Sequence, residues 1–388
     1  MSDATSASAR ARQQTGDLVR RFREGSPAAL ARAISIVEDQ REGFQELLHE
    51  LLAAGPRARR LGLTGPPGAG KSSLLAQLAR RYRERGERLG VIAVDPTSPY
   101  SGGALLGDRI RMSDIATDPG IFIRSMASRG SLGGLATTTK EVLDLMDAFG
   151  FDRVLVETVG VGQTELEITA AADTVVVVLV PESGDAIQAM KAGLMEIADV
   201  FVVNKADRPG ALRLVKEIRQ ALRLRGGRAP EAPAGHHGVR LDRPPRTTKP
   251  AEAGGGTAGG GKASGSAGGG ARASGAPAGG IPVGATPSGG TWEIPVLTTD
   301  AQSGQGVDEL LAAVDEHRAW LERSGELAAR RRARAARRVR DVVERELRRA
   351  AATSPEARAR LEAGLDRIDA GEETPYSVAR RVVEALLR

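Results

Sequence analysis

The chain has 388 residues, 41% of them hydrophobic, which is enough for one large core or two domains. It has no cysteine, so disulfides and thiolate metal sites are excluded and a reducing compartment is implied; its four histidines (His49, His236, His237 and His317) include one adjacent pair, inside a glycine-rich stretch, which argues against a histidine metal centre in the fold. Net charge is +6, but 48 of the 55 basic residues are arginine and 7 lysine, a bias that reads as codon usage and solvated helix faces more than nucleic-acid binding, and no apolar run approaches the ~20 residues of a membrane span.

In chain order, "MSDATSASARARQQ" (1–14) lacks the apolar centre of a secretion signal and reads as a disordered tail. A bacterial, cytoplasmic protein is expected, with the mitochondrial matrix as the alternative that the Ser/Arg content suggests. Residues 15–57 form an N-terminal helical extension with two patterns, one carrying Leu18, Leu30, Ile34 and Ile36, the other Phe44, Leu47, Leu48, Leu51 and Leu52. From 58 to 225, short apolar runs alternate with helical stretches: "RLGLT", "GVIAV", "IFIRS", "RVLVE", "TVVVVLV" and "VFVVN". Near-continuous apolar strands between helices predict an α/β fold with a mostly parallel sheet covered on both faces.

The composition then breaks. Twenty of the 48 glycines lie between Gly226 and Gly290. Such a stretch buries too little apolar surface to offset its chain entropy, so 226–290 is expected to be a flexible insertion. "WEIPVLT" (292–298) resumes the sheet, and 291–322 completes the same domain. Residues 323–388 read as a helical arm over 325–350 and two shorter helices after Ser354-Pro355, with Val339, Val342, Val343 and Leu347 requiring something to pack on.

Three motifs carry chemistry. "LGLTGPPGAGKSSL" (61–74) satisfies G-x-x-x-x-G-K-[ST] from Gly65 through Pro66, Pro67, Gly68, Ala69, Gly70 and Lys71 to Ser72, between a strand and a helix. Backbone N–H groups up to Ser73 would cradle phosphates, with Lys71 at the β- and γ-phosphates and the Ser72 hydroxyl on Mg²⁺. "VVNKAD" (202–207) is the guanine signature: Asp207 would accept from N1–H and the 2-amino group, Asn204 would brace the loop, and the Lys205 stem would cover the base. "TTDAQSGQG" (298–306) fits a second guanine loop, with Asp300 where Ser is usual and the Ala301 N–H available to guanine O6. The insertion is therefore expected to separate two halves of the base pocket and to have both its ends beside it.

Three carboxylates end strands or follow them, where open α/β sheets bind ligands: Asp95, Asp108 and Glu157. Each is a candidate for Mg²⁺, and each also fits a cap or structural role. Glu157 begins Glu-x-x-Gly, whose Gly160 N–H would meet the γ-phosphate.

The blocks "GPPGAGKSS", "VDPTSPYSGGALLGDRIRM", "SMASRGSLGGL", "ETVGVGQTE", "MEIADVFVVNKAD" and "PVLTTDAQSGQG" resemble, in order, those of the MeaB/ArgK family, over about 15–225 and 292–388. The resemblance implies a SIMIBI-type P-loop NTPase fold with the helical extension and a C-terminal helical dimerisation arm. It implies a Mg²⁺-dependent GTPase, binding GTP and GDP, that serves as chaperone to an adenosylcobalamin-dependent acyl-CoA mutase, above all methylmalonyl-CoA mutase, and gates its cofactor loading, protection or reactivation. It assigns Lys71, Ser72, Asp95, Asp108 and Glu157 to phosphate and Mg²⁺ and Asp207 to guanine. It also makes 184–196 a switch, with "MKAGLME" where "IKKGIME" is common. Lys191 there would move toward the phosphates, and Gln163 would orient the attacking water. A homodimer is expected, with neither nucleic acid nor membrane as partner. The alternatives are a metal-insertion GTPase of the same class, a nucleic-acid-associated GTPase using the Arg-rich helix at 330–340, and a small-molecule kinase.

Overall fold

A computed structural model describes residues 2–52, 57–95, 112–127, 137–158, 168–181, 193–225 and 290–387. Among them, strands β1 (Arg59–Thr64), β2 (Leu89–Asp95), β3 (Ile121–Ala127), β4 (Arg153–Glu157), β5 (Thr174–Leu179), β6 (Val200–Val203) and β7 (Val296–Thr298) form one sheet in the order β3-β2-β4-β1-β5-β6-β7. Every neighbouring pair is parallel. These strands are the apolar runs read from the sequence, because a strand buried on both faces has no polar side to alternate with.

Side-chain alternation divides the core. Leu61, Leu63, Val176 and Val178 face helices α4 (Lys71–Glu84) and α7 (Val307–Arg323). On the other face, Val154 and Val156 pack under α5 (Thr137–Phe149), while Val175 and Val177 pack under α6 (Ala211–Arg225). Asp147 of α5 accepts from the Arg57 and Ala58 N–H groups at 2.6 and 2.8 Å and pairs with Arg60 at 2.9 Å, fixing the start of β1. No helix among the described residues is long and apolar enough to cross a membrane.

The N-terminal region differs from expectation. Helix α1 (Ser2–Arg23) runs through the stretch expected to be a disordered tail, which contains no glycine or proline before Gly16 and is rich in Ala, Arg and Gln. The first helical pattern is then cut in two. Gly25 turns at φ 82°, Ser26 caps the next helix and Pro27 opens α2 (Pro27–Glu38) at N1. Helix α3 (Phe44–Leu51) follows. Leu18, Phe22, Leu30, Ile34 and Leu47 join one cluster with Val142, Met146 and Val156, so the extension is part of the sheet's cover.

The Arg-rich C-terminal helix α8 (Glu326–Thr353) begins at the N-terminal ends of the strands and continues along α5. Asp173, just before β5, takes Arg318 and Arg331 at 2.9 Å and also Arg334. Asp199, just before β6, takes Arg330 at 3.0 Å. Farther along α8, Glu141 takes Arg345 at 3.0 Å and Arg338 at 3.3 Å. The sequence suggested solvated arginines; here these side chains neutralise buried carboxylates. Helices α9 (Pro355–Asp369) and α10 (Pro375–Leu386) cross closely at Gly364, where a Cβ would lie 2.3 Å from Val378.

The insertion's ends are also not where the motif order suggested. Arg225 closes α6 and donates to the Met195 carbonyl. The Trp292 indole N–H donates to the Asp199 carbonyl at 2.8 Å, and Trp320 donates to Gly290 at 2.8 Å. Met195 and Asp199 precede β6, so both flanks sit at the edge of the sheet opposite the loops that follow the strands. The reason is connectivity: α6 runs antiparallel to the strands and carries the chain from the loop edge back to the edge where β6 begins.

Two outcomes are expected. Deleting 230–288 leaves GDP affinity within about threefold by calorimetry, since loop length changes closure entropy by only ~0.6 kcal/mol per doubling; a hundredfold loss overturns this placement. Burial alone would raise the Asp173 pKa, but the Arg331 hydrogen bond and the Arg334 and Arg331 charges hold it well below its ordinary 3.8. With the folded-state value depressed, its stabilisation is complete above pH ~3.8 and lost as pH falls below that. Asp173→Asn is expected to cost roughly 3–5 kcal/mol at pH 7, with the difference in Tm shrinking below pH 4.

Candidate functional site

The phosphate loop is shaped by glycine. Gly65 has φ 137°, and a Cβ there would lie 2.0 Å from the Val178 carbonyl oxygen. Gly70 is the N-cap of α4 at φ 82°, and no side chain caps the helix. The first-turn N–H groups of such a helix favour an anion. Lys71 is buried, and its ammonium donates to the Gly65 and Pro66 carbonyls at 2.9 and 3.0 Å, so it spans the loop that was expected to hold phosphate. Pro67, Gly68 and Ala69 complete the turn, and Ser73 follows Ser72 into α4.

Glu157 ends β4 beside β1, in register with Leu63. It is buried and accepts from the Ser72 hydroxyl at 2.7 Å. Next to it, the Thr158 hydroxyl donates to the Thr64 hydroxyl at 2.9 Å, closing the β1–β4 seam at this edge. A hydroxyl and a carboxylate oxygen at the mouth of a phosphate loop are the hard donors that suit a small divalent cation.

The loops expected on the base side meet at Asn204, which is buried at the end of β6. Its Nδ2 donates to the Ala69 carbonyl at 2.8 Å. Its Oδ1 accepts from the Thr299 hydroxyl and from the Ala301 N–H, each at 3.1 Å. The bracing role expected for Asn204 is present in this geometry, whereas the Ala301 N–H, expected at guanine O6, is given to Asn204. Gly70 permits the contact with Ala69, because a Cβ there would lie 2.4 Å from Asn204 Nδ2.

Lys205 takes φ 56°, unusual for a residue with a side chain, and Ala206 N–H donates to the Thr299 carbonyl at 3.0 Å. The turn leaves Asp207 exposed. Asp300 holds its own loop. It accepts from the Ser303 hydroxyl at 2.6 Å and from the Gln302 N–H at 3.0 Å, and these bonds lower its pKa. Its position where Ser is usual thus has a local structural use.

The structure brings together Gly65–Ser73, Glu157, Asn204–Asp207 and 299–306 at one edge of the sheet. Asp95 closes β2 at the same edge, although its side chain lies outside the described residues. Asp108, Gly160, Gln163 and Lys191 also lie outside them, with most of the 184–196 segment. Two residues missed from the sequence also belong here, Thr158 and Gln77. The Gln77 amide on α4 donates to the Ala301 carbonyl at 3.0 Å. A polar residue between the buried Ala76 and Leu78 was the available signal.

A family model described as methylmalonyl Co-A mutase-associated GTPase MeaB matches residues 30–356. The chain belongs to this family. A putative GTPase of Pyrococcus abyssi is 39% identical over 374 residues, 96% of each chain. The mouse methylmalonic aciduria type A homolog, mitochondrial, is 41% identical over 218 residues, 52% of each. A crystal structure titled LAO/AO transport system kinase superposes with a TM-score of 0.59 at 25% identity, over 97% of this chain and 98% of that one. The MeaB-family chain is a GTPase on the P-loop fold, and the phosphate loop is where its nucleotide chemistry begins.

In a guanine pocket of this family, Asp207→Asn should weaken GTP on the order of 100-fold by removing a charged acceptor. The amide should bind xanthosine triphosphate better than the parent does, because its donor suits the 2-oxo group. Calorimetry with GTP, ATP and xanthosine triphosphate checks this; equal ATP and GTP affinities in the parent protein would overturn the guanine reading.

Proposed function

We propose that this GTPase is a nucleotide-gated chaperone of an adenosylcobalamin-dependent acyl-CoA mutase in the bacterial cytoplasm, with methylmalonyl-CoA mutase as the favoured partner. The match to a mutase-associated GTPase family across 30–356 carries the proposal, and the name of the mouse relative supports it. GTP state would set the switch segments, and these would set the mutase's competence to accept, keep or release its cofactor. The chaperone itself need not touch cobalamin.

In this reading the N–H groups of the phosphate loop and Lys71 hold the phosphates, Asp207 reads guanine, and the Gly160 N–H meets the γ-phosphate. Ser72, with Glu157 and the carboxylates Asp95 and Asp108, would hold Mg²⁺, which when bound would neutralise charge developing on the transferred phosphoryl group. The buried Ser72–Glu157 pair supports that donor set. Gln163 orients water. A second copy of the chain covers the arm, where Val339, Val343, Leu347, Leu361 and Leu365 are exposed.

Hydrolysis is slow without a partner, because the phosphate loop supplies only part of the positive charge the transition state needs. Docking of the mutase on 184–196 brings Lys191 to the phosphates. Lys191→Ala is therefore expected to remove most of the stimulation by the mutase while changing basal affinity and rate less than about twofold. Single-turnover GTP hydrolysis, with and without the cognate mutase, tests both claims. A mutase that neither binds nor stimulates the parent protein overturns the chaperone reading; a variant stimulated as strongly as the parent overturns only the role of Lys191.

A further inference from the structure

The loop 299–306 is gripped from two sides. Asn204 takes the Ala301 N–H. From the opposite direction, the half-buried Gln77 Nε2 donates to the Ala301 carbonyl at 3.0 Å. These bonds engage the two peptide groups that flank the Ala301 Cα, so between them they restrict both its backbone torsions. Gly304 sits over the same amide, and a Cβ there would lie 3.7 Å from Gln77 Oε1. One helical turn farther along α4, Arg81 Nε donates to Asp308 at 2.8 Å, in the first turn of α7. The face of α4 presenting Gln77 and Arg81 therefore ties the helix that starts at Lys71 to the loop that closes the base side.

We propose that Gln77 is a positioning residue for guanine recognition: it sets the height of the 299–306 loop over the base by holding the Ala301 carbonyl. The proposal rests on the guanine-nucleotide reading of the site. Gln77 stands six positions after Lys71, well clear of the phosphate loop, so it acts through Ala301 and not on the phosphates. Removing the donor leaves a carbonyl without its partner beneath the loop, a change that loosens the base side while Lys71, Ser72 and Glu157 keep their contacts.

The test uses the full-length chain and the dissociation of a fluorescent N-methylanthraniloyl GDP. Gln77→Met keeps the shape and removes the donor; Gln77→Glu replaces the donor by an acceptor and serves if the Met variant fails to fold; Gln77→Lys restores a donor. The expected result is dissociation about tenfold faster for Met and Glu, and within about threefold of the parent for Lys. KM for GTP should rise in step, with kcat unchanged within about twofold. A purely structural role would lower kcat and thermal stability together and would not be rescued by lysine; that pattern overturns the proposal, as does dissociation from Met and Glu variants within twofold of the parent. If the parent does not prefer the GDP probe over its ADP counterpart, the guanine reading itself has failed.

Discussion

One buried amide joins the three segments of the nucleotide edge. Asn204 gives its side-chain N–H to the phosphate loop at Ala69 and takes hydrogen bonds from Thr299 and Ala301 of the loop after β7. Its own backbone N–H is bonded to Leu179 at the end of β5. A buried side-chain amide must find partners on both its donor and acceptor sides. Here its partners draw segments around 69, 204 and 300 to one point. Gly70 is the condition for it, since any side chain there would occupy the space the amide uses. The αL turn at Lys205 then leads directly from this anchor to Asp207.

The two edges of the sheet are held by different physics. At the ligand edge, hydrogen bonds of side-chain amide and hydroxyl groups (Asn204 to Ala69, Thr158 to Thr64, Ser72 to Glu157) position the loops. At the opposite edge, the buried carboxylates of Asp173 and Asp199 are matched by guanidinium groups of α7 and α8, and Glu141 near the start of α5 is matched by α8 as well. Arginine suits this because its planar fork remains charged on partial burial and can serve two acceptors. The crowding shows at Arg334, whose pKa is lowered first by burial and then by Arg60 and Arg331, against the pull of Asp173. Asp199 goes the other way: burial raises it, but neighbouring His317 and Arg330 bring it below its ordinary value. Charge therefore anchors one face of α8 to the sheet, while Val339, Val343 and Leu347 remain on its exposed surface.

This division puts Arg225 and Trp292, the described flanks of the Gly-rich stretch, on the arm's side of the sheet. These flanks are tied by Arg225, Trp292 and Trp320 near the start of β6, and His317 stacks on Trp320 at 5.7 Å and lies tilted against Trp292 at 4.8 Å, the three rings forming one cluster. The place of the Gly-rich stretch between the NKAD motif and the second base loop is a fact of chain order, and the β6–α6–β7 path converts that order into distance.

The parallel sheet and the glycine-rich turn were legible in the sequence because each depends on local pattern: apolar runs for strands buried on two faces, and glycines where φ must be positive. The break between α1 and α2 was legible in principle, in Gly25-Ser26-Pro27, but the apolar spacing ran across it. Other features had no local signature. That Ala301 gives its N–H to Asn204, that Gln77 holds the Ala301 carbonyl, and that arginines 330, 331, 334, 338 and 345 meet buried carboxylates are pairings between residues from 97 to 224 positions apart. The sequence by itself determined which segments become strands, turns and helices, because those choices follow from each residue's own backbone and burial preferences. Only the tertiary structure decided which polar groups face one another, because a donor's partner depends on where the whole chain brings it.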